Sequence, residues 1–168
     1  MNAPDTNPAR PLRDVVGAVA HTLQRLPPGD LAALRRLSPD DPHCPALWKL
    51  LVGDLADQLP TDDASRRRAE RRWAVILAAM TNGLVGPGRR FGRALGEAVP
   101  ETRVVKMLRA HDDALAVAVR TVVQQLASRG VYFDPFDLAR LVLTDGTDAE
   151  DDVRRHIYED FFTVAQSA

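Results

Sequence analysis

Lysine is nearly missing: Lys49 and Lys106 are the only two among 22 basic residues, so arginine carries almost all the positive charge. A planar, permanently charged guanidinium suits phosphate, but a GC-rich genome produces the same bias, so this points to polyanions only weakly. One cysteine, Cys44, excludes an internal disulfide and agrees with a reducing compartment. No apolar run approaches the ~18 to 20 residues that cross a bilayer. The opening MNAPDTNPARPLRD has no basic stretch followed by an apolar one, so no secretory signal is read there. The expectation is a soluble, cytoplasmic protein with no membrane partner.

Catalytic signatures are scarce too. There is no G-x-S-x-G, no H-E-x-x-H and no catalytic-cysteine context, and His21, His43, His111 and His156 lie in unrelated places. His43 and Cys44 adjoin, but a zinc site needs about four ligands at recognisable spacing. His111 with Asp112 and Asp113 imitates an acid–base or metal cluster, yet carboxylates are common at a helix start for electrostatic reasons. Gly86 to Gly92 is the one glycine-rich stretch. It misses the dinucleotide fingerprint by one residue, follows a helix where that fingerprint needs a strand, and lacks the Lys-Ser/Thr of a P-loop. The expectation is no enzyme, no cofactor and no metal.

What is present is a helical pattern. In 168 residues, 45% of them hydrophobic, a real core can be buried. Leu115, Val119, Val122 and Leu126 recur at steps of four, three and four, one face of a long helix that starts at Asp112–Asp113 and stops at Gly130. Arg120 points away from that seam, and Arg93, Arg103, Lys106 and Arg109 lie just upstream. Residues 61–109 carry a net +6 and residues 110–168 a net −6. Such asymmetry indicates a basic surface for a polyanion, or two segments that neutralise each other.

In chain order, residues 1–10 read as a frayed end and Leu12 to Arg25 as a helix with Val15 or Val16, Val19 and Leu23 inward. Gly29 to Leu37 is a short helix capped by Asp30, with Arg35 and Arg36 at its edges as a phosphate clamp or as ordinary solvated charge. Cys44 and Trp48 begin a helix and pack in the core. Thr61 with Asp62 and Asp63 starts a helix that Gly83 stops. Its inner stripe is Ala69, Trp73, Ile76 and Met80, and Arg66, Arg67, Arg68, Arg71 and Arg72 spread around its first half, some to pair with acids at home. Gly86 to Gly92 is a hinge or linker with basic residues at its exit. Phe91 to Ala98 and Glu101 to Ala110 are helices, the second with Val104 or Val105 and Leu108 inward. Tyr132 and Phe133 are a buried plug. Phe136 to Leu143 and Asp148 to Ala165 close the chain, and Arg154 and Arg155 each follow an acid by four residues, the favourable order for local pairing. No segment argues for a sheet, so the fold class is all-α, two packed helical bundles over residues 11–86 and 87–168.

Leu138 to Ile157 also has the helix, glycine turn and helix of a DNA-binding transcriptional regulator. Its second helix, however, opens with Asp148, Glu150, Asp151 and Asp152, which phosphate would repel. As a whole, GDLAALRRL, ALWKLL, FGRAL, MLRA, the long helix with Arg120, LARLV and VRRHIYEDFF resemble, in order and over nearly the whole chain, the CasB family. These are the small subunits of the type I-E CRISPR surveillance complex, Cascade. The departures are an aspartate-rich loop at Thr144 to Asp152, where many relatives have a tryptophan-containing segment, and a reduced arginine–tryptophan pair at the close. The resemblance implies a non-catalytic all-helical subunit, present as two copies head to tail beside guide RNA, target DNA and the other Cascade subunits. Its basic residues would help hold the displaced non-target strand of the R-loop. Carried onto this sequence, the nucleic-acid-binding candidates are Arg35, Arg36, Arg93, Arg103, Arg109, Arg120 and Arg140.

Overall fold

The Asp62 carboxylate accepts the Ser65 N–H at 2.8 Å and so caps α4 (Asp63–Asn82), which Gly83 ends. The computed structural model describes residues 9–41 and 43–167. Around α4 stand α1 (Leu12–Leu23), α2 (Pro28–Arg35), α3 (Pro45–Val52), α5 (Phe91–Ala98), α6 (Glu101–Arg109), α7 (Asp112–Ser128), α8 (Phe136–Thr144) and α9 (Glu150–Ala165). The architecture is all-α apart from one small feature. Leu84–Val85 (β1) and Tyr132–Phe133 (β2) pair in parallel, Leu84 opposite Tyr132.

The apolar periods read from the sequence are the buried faces. Val15, Val16, Val19 and Leu23 of α1 are buried, as are Trp73, Ile76 and Met80 of α4. On α7 the seam Leu115, Val119, Val122, Leu126 is buried, and Gly130 behind it takes a φ of 68°, the left-handed conformation that a helix end favours. One contiguous core runs from Val15 to Phe161, with the Phe91 and Phe133 rings 5.3 Å apart near its middle. α5 crosses α9 closely because Gly92 and Gly96 have no side chain there. A Cβ at Gly92 would lie 2.7 Å from the Ile157 carbonyl oxygen, and one at Gly96 2.8 Å from that of Phe161.

Several local expectations are corrected. Asp30 does not cap α2, whose N-cap is Pro27 with Pro28 as first helical residue; the Asp30 carboxylate instead accepts from Lys49 Nζ at 2.8 Å. Trp48 is 38% exposed, because α3 is a short surface helix whose buried side is Ala46, Leu47, Leu50 and Leu51. Of the expected plug, Phe133 is buried but Tyr132 is 56% exposed, since neighbours in a strand point to opposite sides. The glycine-rich stretch is held at its first residue and its middle: Gly86 N–H donates to Phe133 O at 3.0 Å and Asp134 N–H to Arg89 O at 2.6 Å. The frayed end falls mostly outside the described residues, but Arg10 is held, its Nε donating to Asp57 at 2.9 Å. Arg155 makes no pair with Asp151, whereas Arg154 Nε does lie 3.9 Å from Glu150, the expected local pair, and bonds more closely to other groups, as described next.

Candidate nucleic-acid interface

Helix C-termini leave carbonyls without partners, and two of the expected arginines serve them. Arg35 Nε, at the end of α2, donates to Thr81 O near the end of α4 at 3.0 Å, and Arg120 of α7 donates to Arg35 O at 3.1 Å. Asn82 Nδ2 donates to the same carbonyl at 2.9 Å. The ends of α2 and α4 are thereby sewn to the middle of α7. Neither guanidinium meets a carboxylate among the described residues, and each has five donors, so charge and donors stay available at an exposed position. Arg36, the C-cap of α2, is exposed beside them and has no bonded partner among the described residues.

Across α7 lies α6. Arg103 donates to Gln125 Oε1, and Gln125 Nε2 donates to Ala98 O at 2.9 Å, so Arg103 too is held by a neutral amide. Arg109, in the last turn of α6, is exposed with no partner among the described residues, as is Lys106. The exposed face of α7 between these flanks is uncharged beyond Asp113, running through Val117, Thr121, Gln124 and Ser128.

Arg93 and Arg140 differ, because both sit on buried acids. Arg93 Nε is 3.5 Å from Asp160 Oδ1 and Arg140 lies 3.5 Å from Asp137 Oδ1. They belong to a third group in which Asp137, His156 and Asp160 place one ligand-type atom each within 4.8 Å of one another. Sequence reading named only Arg93 and Arg140 of it and missed Arg90, Asp137, His156 and Asp160. A signal existed in the spacing, since Arg90 precedes Arg93 and Asp137 precedes Arg140 by three residues, and His156 precedes Asp160 by four.

The α4 cluster is mostly spent at home. Arg66 pairs with Glu70 at 3.1 Å, Arg71 with Asp40 at 2.9 Å and Asp113 at 3.3 Å, and Arg72 donates to Leu143 O at 2.9 Å and to Asp145 O. Arg67, Arg68, Arg71 and Arg72 face Asp112 and Asp113 across a cleft of about 480 Å³.

His111 does not act with Asp112 and Asp113. Its Nδ1 is 2.7 Å from Asp145, whose Oδ1 also takes Arg154 at 2.9 Å and whose Oδ2 accepts the Asp112 N–H at 2.8 Å. Arg154 further donates to Leu108 O and, at 3.0 Å, to Ala110 O. Both Asp145 oxygens are thus engaged and a guanidinium already occupies the cluster, which disfavours a metal cation there. The same knot packs the start of α9 against the end of α6 and the start of α7, an arrangement that does not favour its use as a recognition helix.

Residues 30–162 match the family model of the CRISPR-associated protein Cse2. The chain belongs to the Cse2 family. This is the CasB family under its other name, the one that the sequence pattern resembles. Among curated proteins none matches the chain. Among solved structures it is similar to a chain of E. coli Cascade bound to a PAM-containing dsDNA target, with 23% identity, a TM-score of 0.68, and 90% of this chain and 97% of that chain covered. That likeness is one of fold. Membership in the Cse2 family accounts for the order of the sequence motifs, and the aspartate-rich loop contributes Asp145 to the knot with Arg154.

Proposed function

We propose that this Cse2-family chain is the non-catalytic small subunit of a type I-E RNA-guided surveillance complex. It contacts the sugar–phosphate backbone of guide RNA and target DNA and favours the opened R-loop and its displaced strand. The observation that carries the reading is the group Arg35, Arg36 and Arg120, guanidiniums gathered at two helix ends and, among the described residues, bonded to carbonyls or to nothing and not to a carboxylate. Arg103 and Arg109 extend it across α7. Such contacts carry no base readout. The guide reads sequence, and because strand exchange is nearly balanced, a few phosphate contacts decide the lifetime of the open state.

The partners on this reading are the nucleic acids, the other subunits and a second copy arranged head to tail. The two-bundle division, residues 11–86 and 87–168, belongs to the same reading, with the bundles sharing one core. Tagged chain expressed beside the remaining subunits and a guide should co-purify with the RNA-containing assembly at about two copies. Recovery of free chain without RNA would overturn the assignment. Sequence-specific duplex binding by the isolated chain, resistant to random competitor, would favour a regulator instead.

A further inference from the structure

The group at the α5–α9 crossing carries an inference of its own. The carboxylate of Asp160 is only 8% exposed and its Oδ2 has no hydrogen-bond partner, yet Arg90 and Arg93 both stand 3.5 Å from its other oxygen. Those two side chains are 56% and 52% exposed. The acid therefore lies behind them, and they lie on the solvent side. At 3.5 Å neither is locked in a short bond. Because one oxygen serves both, the two guanidinium nitrogens are no further apart than twice that distance, which a single phosphate group can bridge.

His156 completes the rim. Arg90 lies 3.2 Å from His156 Nε2, which is also 3.8 Å from Asp160 Oδ2; in the tautomer whose Nε2 accepts from Arg90, Nδ1 carries the proton as a further donor. Asp137 on α8 faces the same group and is matched by Arg140. Charge decides which ligand suits the site. Asp137 and Asp160 face Arg90, Arg93 and Arg140, so the group is already one positive charge in excess with His156 neutral, and a divalent cation would add to that excess where an anion cancels it.

We propose that Arg90, Arg93 and His156, gathered over Asp160, form a binding site for one phosphodiester group of a nucleic-acid strand. It is separate from the Arg35–Arg36–Arg120 group and rests on the function proposed above. Arg90 and Arg93 donate to the two non-bridging oxygens and His156 lines the edge. Buried Asp160 keeps both guanidiniums over the crossing that Gly92 opens.

The test is anisotropy of a labelled single-stranded oligothymidylate, about 20 nucleotides long, on the full chain across roughly 50 to 300 mM salt. Arg90→Gln and Arg93→Gln remove charge but keep an N–H for the buried acid, so the fold survives; far-UV dichroism and melting verify it. Each single variant should weaken binding at 0.1 M salt by up to about fivefold. The double variant should lower the salt slope by about 0.7, the loss of one single-strand phosphate contact. A double variant that loses twice that slope contradicts the shared phosphate, and one with an unchanged slope removes the site. If Arg109→Gln and Arg120→Gln lower the slope while the double variant does not, this site fails alone. If none of the four does, the proposed surface fails with it.

Discussion

Arg154 and Asp145 form an ion pair at 2.9 Å with side chains only 8% and 6% exposed. Through it the aspartate-rich loop, the end of α6, the start of α7 and the start of α9 are tied at one point, since Asp145 also accepts the Asp112 N–H and Arg154 also serves the Leu108 and Ala110 carbonyls. Breaking one partner of a buried pair leaves the other charge uncompensated, at a cost of about 3 to 5 kcal/mol. Asp145→Ala should therefore lower unfolding stability at pH 7 by about that much in urea titration, and Glu150→Gln, whose carboxylate is 3.9 Å from Arg154 Nε, by far less. Equal, small effects would show that the knot is not what holds these helix ends.

At the α5–α9 crossing two effects oppose each other. Alanine is favoured over glycine inside a helix by about 1 kcal/mol, but a Cβ at Gly92 would meet Asp160 Cβ and Ile157 O at 2.7 Å. The nearest obstacle includes backbone, so relief requires moving a helix, and overpacking of this kind costs about 1 to 3 kcal/mol. Gly92→Ala should be destabilising on balance, whereas Gly17→Ala, with open space around it, should be neutral or stabilising. Thermal melts of the two variants decide the point.

The Arg10 guanidinium and backbone N–H both bond the Asp57 carboxylate and hold its pKa well below the usual carboxylate value. A depressed folded-state pKa contributes stability above the unfolded value of about 3.9 and loses it as pH falls toward the folded one. Asp57→Asn should melt lower than the parent at pH 7, by no more than a few degrees for so exposed a pair. The gap should close as pH is lowered through the acid range. A gap independent of pH would assign the effect to packing instead.

Helices were legible in the sequence because their stops and starts are chemical: Asp62 before α4, Gly130 after α7 and the prolines that open α2 and α3 act locally. The four-three-four period of α7 needed no knowledge of what it packs against. Trp48 and Tyr132 were misplaced because an aromatic residue is buried only if a neighbour arrives to cover it, and that is settled by distant elements. The site was legible as a set of arginines but not as groups. Nothing local distinguishes Arg120, which meets a carbonyl, from Arg93, which meets a buried acid 67 residues further on. The pairing of the basic middle with the acidic end is partial for the same reason: Arg71 and Arg72 find acceptors in the later half, while Lys106 and Arg109 find none among the described residues.

Arg109 and Arg120 separate the backbone-contact reading from a structural one. If they meet phosphates, Arg109→Ala and Arg120→Ala should each weaken single-strand binding by about fivefold at 0.1 M salt, lower the salt slope by about 0.7, and do so equally for unrelated sequences. Arg109 has no bond to lose among the described residues, so its variant should melt like the parent. Arg120 gives up its bond to Arg35 O, which costs about 1 kcal/mol and loosens the join of α2 to α7. A drop in melting temperature for Arg120→Ala with an unchanged slope would make it a helix-end clasp only. A loss confined to some sequences would contradict backbone contact for both, because phosphate is the same on every nucleotide.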